Sequence, residues 1–217
     1  MTDYAAARRA MVDCQVRPSD VTRYAIIDAM LSVPRELFVP RAKRDVAYVG
    51  AEIEVAAGRA LLDPRVFAKM VEVADIGPSD LVLDLAPASG YSTAIFARIA
   101  EAVVAIEPDE ALAKTARSAL DRLEVVNATV SVGETVMGDA AHGPYDVIFV
   151  NGGVERVPTA LTDQLKDGGR LVTVFLDGGA GQCRVVSRAA DALSHRFMFD
   201  ASAPLLAGFQ KKNEFAF

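Results

Sequence analysis

The chain has no tryptophan, two cysteines and two histidines among its 217 residues, and each scarcity removes a class of function. Cys14 and Cys183 lie far apart and neither belongs to a CxxC or Cys/His cluster, so neither a disulfide framework nor a zinc site is indicated. Both read as small buried or half-buried side chains in a reducing compartment. His142, in GDAAHGPYD, and His195 have no partner at ligand or triad spacing and read as surface histidines. No GxSxG, HExxH or P-loop pattern is present. No uninterrupted run of about eighteen apolar residues occurs. The opening MTDYAAARRAMVDCQ has no apolar stretch of signal-peptide length, so a soluble, cytoplasmic protein is expected. Lysine and arginine are outnumbered, 23 against 29 acids for a formal charge of −6. That leaves no basic face for nucleic acid. The densest basic spot, Arg41, Lys43 and Arg44 with Arg35 nearby, is expected to be solvated surface.

What is present is an ordinary globular composition, 52% apolar and 24% charged, long enough for one well-buried domain over residues 1–217. From Asp80 onward, short β-branched runs alternate with helical patterns, the rhythm of strands buried on both faces of a parallel sheet. Strands are expected at Leu81–Leu85, Ala102–Ile106, Ala128–Val132, Tyr145–Val150 and Arg170–Phe175. Helices are expected from Tyr91 and from Leu112 to Leu120. Pro158 is expected to open a short helix that KDGG at 166–169 closes. After Phe175 a Gly-rich loop leads straight into Cys183–Arg188, which implies an antiparallel end to the sheet. Further strands are expected around Arg196–Ala201 and near the C-terminus. Residues 1–79 read as a helical and loop appendage, with helical patterns at Tyr24, Ile27, Met30, Leu31 and at Val66, Phe67, Met70, Val73, packed on the sheet core of residues 80–217. The fold class is α/β, a Rossmann-like sheet.

Candidate chemistry gathers at strand ends. The first strand runs into Asp84-Leu85-Ala86-Pro87-Ala88-Ser89-Gly90 and then a helix, where an open α/β sheet binds a nucleotide-like ligand. Small residues at 86, 88 and 90 differ from GxGxxG and suit an adenosylmethionine loop, in which backbone passes close to the ligand's amino-acid end. A bland strand-to-helix turn remains the alternative, since alanine resists positive φ and Pro87 lacks a donor. Glu107 ends the second strand, where an acid can accept both ribose hydroxyls; its other reading is a carboxylate at a helix N-terminus. Glu134 is placed to accept from an adenine amino group, or is a solvated loop acid. Asn151, at the next strand end, could orient a substrate or cofactor carboxylate.

Several segments together resemble the protein-L-isoaspartate O-methyltransferase family, over nearly the whole chain. These are MVDCQ, DAMLSVPRELFVP, the pair Ala47-Tyr48, LVLDLAPASGYSTAIFARIA, VVAIEPDEALAKTAR and YDVIFVNGGVERVPTALTDQLKDGGRLV. The resemblance implies a methyltransferase sheet that binds S-adenosylmethionine at the loop after the first strand. It also implies transfer of the methyl group to isoaspartyl carboxylates of damaged protein. Asp84, Ala86, Ala88, Gly90, Glu107, Glu134 and Asn151 are then the expected cofactor-binding residues, with no metal. Three departures from the family pattern bear on activity. Ala86 and Ala88 stand for glycines, and Glu134 stands for an aspartate. Gly58 to Pro64 corresponds to GQTISQP, which places Leu62 at the catalytic serine that contacts the substrate carboxylate. These departures leave open a non-catalytic or weakly cofactor-binding descendant acting as a binding module, or a methyltransferase for a different acceptor.

Overall fold

The computed structural model describes residues 2–178, 180–190 and 192–211. Helix α1 (Tyr4–Met11) begins at Asp3, whose carboxylate accepts from the Ala6 amide at 3.0 Å, the standard relief of an orphan donor at a helix start. It continues through a π turn at Val12–Val16 and a 3-10 turn at Arg17–Ser19. Helix α2 (Tyr24–Ser32) follows, then 3-10 turns at Arg35–Phe38 and Arg41–Val46. Strands β1 (Ile53–Ala56) and β2 (Arg59–Leu61) form a separate antiparallel hairpin. Asp63 caps helix α3 (Pro64–Ala74) by accepting from the Arg65 and Val66 amides, and Pro64 supplies a first-turn residue that needs no donor.

The main sheet has seven strands. They are β3 (Leu81–Leu85), β4 (Ala102–Glu107), β5 (Ala128–Val132), β6 (Tyr145–Val154), β7 (Leu165–Phe175), β8 (Gln182–Ala189) and β9 (Ala192–Asp200), in the order β5-β4-β3-β6-β7-β8-β9. Pairings from β5 to β7 are parallel, and β8 and β9 are antiparallel. Helices α4 (Tyr91–Phe96), α5 (Glu110–Arg122) and α6 (Thr159–Thr162) lie in the connections. Alternation along β3 splits the core in two. Val82 joins the cluster containing Phe67, Phe96 and Ala116, while Leu83 and Leu85 join Val150, Leu161 and Leu206 on the other face. Both faces are covered at the central strands β3, β4 and β6, which is why these read as nearly continuous apolar runs, while β5 and β9 at the edges are largely exposed. Chain order reverses between β3 and β6, so the C-terminal ends of these two strands form the switch point where such sheets bind ligands.

The parallel strands and the antiparallel end agree with the sequence expectation. Other details differ. The loop around 50–63 contains the β1–β2 hairpin, and α1 occupies a stretch with no expected helix. Helix α6 stops at Thr162 and β7 has begun by Leu165, so KDGG at 166–169 lies inside the strand at a register shift against β6 rather than closing the helix. Near the C-terminus, Leu205 forms an isolated parallel bridge to Gly153; residues 212–217 lie outside the described residues. Among the described residues no helix is long and apolar enough to cross a membrane.

Candidate functional site

The loop after β3 adopts the backbone of a glycine loop without its glycines. Ala86 has φ 58° and Ala88 φ 54°, beside Gly90 at 93°. A left-handed conformation costs an L-residue about 1–2 kcal/mol, so the alanines are held there against their preference. Three contacts do the holding. The Ala86 amide donates to the Ile106 carbonyl at 2.9 Å, and the Ala88 amide donates to Glu107 Oε2 at 2.8 Å. The Ser89 hydroxyl donates to the Phe38 carbonyl. Gly90 is required on steric grounds as well, since a Cβ there would lie 2.8 Å from the Ala116 Cβ of α5.

Asp84 is fully buried beneath this loop. Its Oδ2 accepts from Ser92 Oγ at 2.8 Å and Thr93 Oγ1 at 2.6 Å, and its Oδ1 accepts from Asn151 Nδ2 at 2.5 Å. Burial pushes its carboxyl up to about 7; the three donors oppose that rise, and nearby Glu107 adds to it. Asn151 sits where β6 shifts register between Phe149 and Gly153, an irregularity that redirects a side chain. Its amide also donates to the Leu85 carbonyl at 3.0 Å. It therefore ties β6 to β3 and braces the loop, and its amide nitrogen is engaged by protein.

Glu107 is 0% exposed and both oxygens are engaged. Arg59 Nη1 lies 2.5 Å from Oε1 and Nη2 lies 2.7 Å from Oε2, and the Asp109 amide donates to Oε1 at 3.1 Å. The group expected to face ribose hydroxyls is thus covered by a guanidinium reaching over from the β1–β2 hairpin. The alternative reading of Glu107, a carboxylate at a helix start, describes its Asp109 contact; the helix cap itself is Asp109, which accepts from the Ala111 and Leu112 amides. Glu134 lies exposed just past β5.

Leu62 is 3% exposed and belongs to the larger apolar cluster. It lines a narrow cleft with Arg35, Phe67, Pro87, Tyr91 and Asn151, so the structure brings positions 62, 87 and 151 together while Glu134 stands apart. Arg35, expected on a solvated basic surface, is instead 0% exposed. Its Nε donates to the Ala47 carbonyl at 2.9 Å and its Nη2 to the Leu62 carbonyl at 2.7 Å. The guanidinium carbon lies 4.8 Å from the centroid of the Tyr91 ring. These carbonyls and the aromatic face are what make burial of Arg35 tolerable, and sequence alone does not show them. Cys14 is exposed rather than buried, while Cys183 is buried with its thiol pushed up to about 12 by burial. Both histidines are exposed; His142 Nδ1 lies 2.8 Å from Asp139 Oδ2.

The model of one protein family, described as protein-L-isoaspartate(D-aspartate) O-methyltransferase, matches residues 7–196. The chain is 36% identical over 187 residues to the protein-L-isoaspartate O-methyltransferase of Pelotomaculum thermopropionicum, covering 86% of this chain and 82% of that protein. It superposes with a TM-score of 0.80 and 22% identity on a solved protein-L-isoaspartate O-methyltransferase, covering 93% of this chain and 66% of that one. A Plasmodium falciparum structure of the same type, solved in complex with S-adenosyl-L-homocysteine, gives a TM-score of 0.77 at 15% identity, covering 95% and 99% of the two chains.

Proposed function

Because the chain belongs to the protein-L-isoaspartate(D-aspartate) O-methyltransferase family, we propose that it is an S-adenosylmethionine-dependent methyltransferase acting on isoaspartyl carboxylates of damaged protein in the cytoplasm. The observation that carries this reading is the pair of alanines at positive φ, Ala86 and Ala88. Strain of that size persists where a function needs the backbone shape, and the shape here is one that lets backbone approach a ligand closely.

The residues fit the cofactor on one condition, that Arg59 leaves Glu107. Glu107 would then hold the ribose hydroxyls, the backbone from Ala86 to Gly90 the amino-acid end, and Glu134 the adenine amino group. Asp84 and Asn151 hold the loop in shape. When bound, S-adenosylmethionine supplies an electrophilic methyl group on a sulfonium. A carboxylate acceptor needs no general base, so this chain's residues have orientation and exclusion of water as their main tasks.

A second reading draws on the Arg59–Glu107 pair itself: a weakly cofactor-binding descendant that keeps the fold as a binding module. A third reading, a methyltransferase for a different acceptor, draws on Leu62, apolar where the family serine stands. Incubation with radiolabelled S-adenosylmethionine and an isoaspartyl peptide separates them. The proposal expects base-labile label on the peptide; no transfer at high enzyme concentration contradicts it.

A further inference from the structure

The cleft beside the loop carries two donors that the fold leaves unused. Arg35 Nη1 and the Tyr91 hydroxyl are buried and have no hydrogen-bond partner. The guanidinium and the hydroxyl approach within hydrogen-bonding reach, so that each favours the other's charged form against the effect of burial. Arg35 stacks on the Tyr91 ring face, however, and Nη1 and the hydroxyl do not meet in hydrogen-bond geometry. Among the described residues no carboxylate lies within ion-pair distance of Arg35.

Asp63 acts on Arg35 only from beyond contact; a buried guanidinium without a counter-charge in contact is costly, and an unsatisfied buried donor adds to that cost. Arg35 and Tyr91 line the same cleft as Leu62 and Pro87, and the cleft admits a water-sized group, the size of one carboxylate oxygen. The ring bearing the hydroxyl is fixed by Phe38 and Phe67, at 5.6 and 5.5 Å between centroids. Its donor is therefore held in place before any ligand arrives.

We propose that Arg35 and Tyr91 form a carboxylate-binding point that seats the methyl-accepting group beside the loop at Ala86–Gly90, in place of the serine lost at Leu62. The assignment of this carboxylate to the acceptor rests on the methyltransferase reading above. Two free donors hold one carboxylate oxygen and leave the second free to attack. In that transfer the oxygen–methyl bond forms as the sulfur–methyl bond breaks, the bonding pair stays on sulfur, and no proton moves. Arginine supplies the charge that draws the acceptor in; tyrosine sets which oxygen is held.

The test uses the full chain and Tyr91→Phe, which keeps the aromatic contacts and removes only the unpartnered hydroxyl. Melting temperature is measured in acetate and in chloride at equal ionic strength, and KM is measured for an isoaspartyl peptide. The variant is expected to melt no lower than the wild type in chloride and to show less acetate-specific stabilisation. Its peptide KM is expected to rise about tenfold with S-adenosylhomocysteine affinity unchanged. Equal acetate effects in the two proteins with an unchanged KM overturn the proposal, since the cleft then holds a trapped water only. Should the wild type methylate no isoaspartyl peptide while the acetate difference persists, the carboxylate point stands and the acceptor assignment falls.

Discussion

Arg59 and Glu107, one on a hairpin outside the main sheet and the other at the end of β4, join through both terminal guanidinium nitrogens and both carboxylate oxygens, at 2.5 and 2.7 Å. Glu107 has no exposure and the Arg59 side chain only 13%, so the pair is shielded enough for its loss to matter. Removing one partner of a buried pair strands the other charge, at about 3–5 kcal/mol. Arg59→Met and Glu107→Gln are each expected to destabilise by roughly 3 kcal/mol in urea unfolding. The double variant is expected to fall short of the sum by about 2 kcal/mol. Additive losses would mean that the pair contributes little to holding the hairpin.

Relieving the loop should stabilise the fold. Glycine at 86 or 88 removes about 1–2 kcal/mol of left-handed strain and forfeits about 0.5–1 kcal/mol in unfolded-chain entropy. Ala86→Gly and Ala88→Gly are therefore each expected to gain about 0.5–1 kcal/mol, read by thermal unfolding. Gly90→Ala should go the other way by about 1–3 kcal/mol, because it combines φ 93° with the contact to Ala116.

Asp84 predicts a pH dependence. Its carboxyl is raised to about 7 from an ordinary 3.8, so between those values the folded chain holds a proton that the unfolded chain has released. Stability from this group is complete below about pH 4 and is lost as pH rises through about 7. Thermal unfolding from pH 5 to 8 should show the wild type losing stability relative to Asp84→Asn. Parallel curves for the two proteins would mean that Asp84 is ionised throughout.

The thiols should differ in reactivity. Cys14 is exposed and Cys183 is buried with its thiol raised to about 12, so thiolate chemistry at neutral pH favours Cys14. Iodoacetamide followed by peptide mass analysis is expected to label Cys14 in the native chain and Cys183 only after denaturation. Equal native labelling contradicts that burial.

Much of the architecture was legible because its signal is local. The apolar runs of β3, β4 and β6 are buried on both faces, and the turns between them are marked. The β1–β2 hairpin was not legible, because strands of four and three residues are too short to show an alternation. Nor was the fate of the charged residues. Arg35 looks solvated when counted with the basic cluster at Arg41, Lys43 and Arg44, yet two carbonyls and an aromatic ring receive its guanidinium in the interior. Glu107 was singled out by its place at a strand end, while its partner lies 48 residues away on an element the sequence did not reveal. Ala86 and Ala88 argued against a glycine-loop backbone on intrinsic preference, and tertiary contacts imposed it.

Arg59 stands where the GQTISQP segment has glutamine, which makes one comparison decisive for cofactor binding at Glu107. Calorimetric titration of S-adenosylhomocysteine into the wild type and Arg59→Gln, side by side, measures it. Both proteins are expected to bind, Arg59→Gln at least about tenfold more tightly because the cofactor no longer competes with an ion pair. Equal affinities, or no heat from either protein, would contradict it.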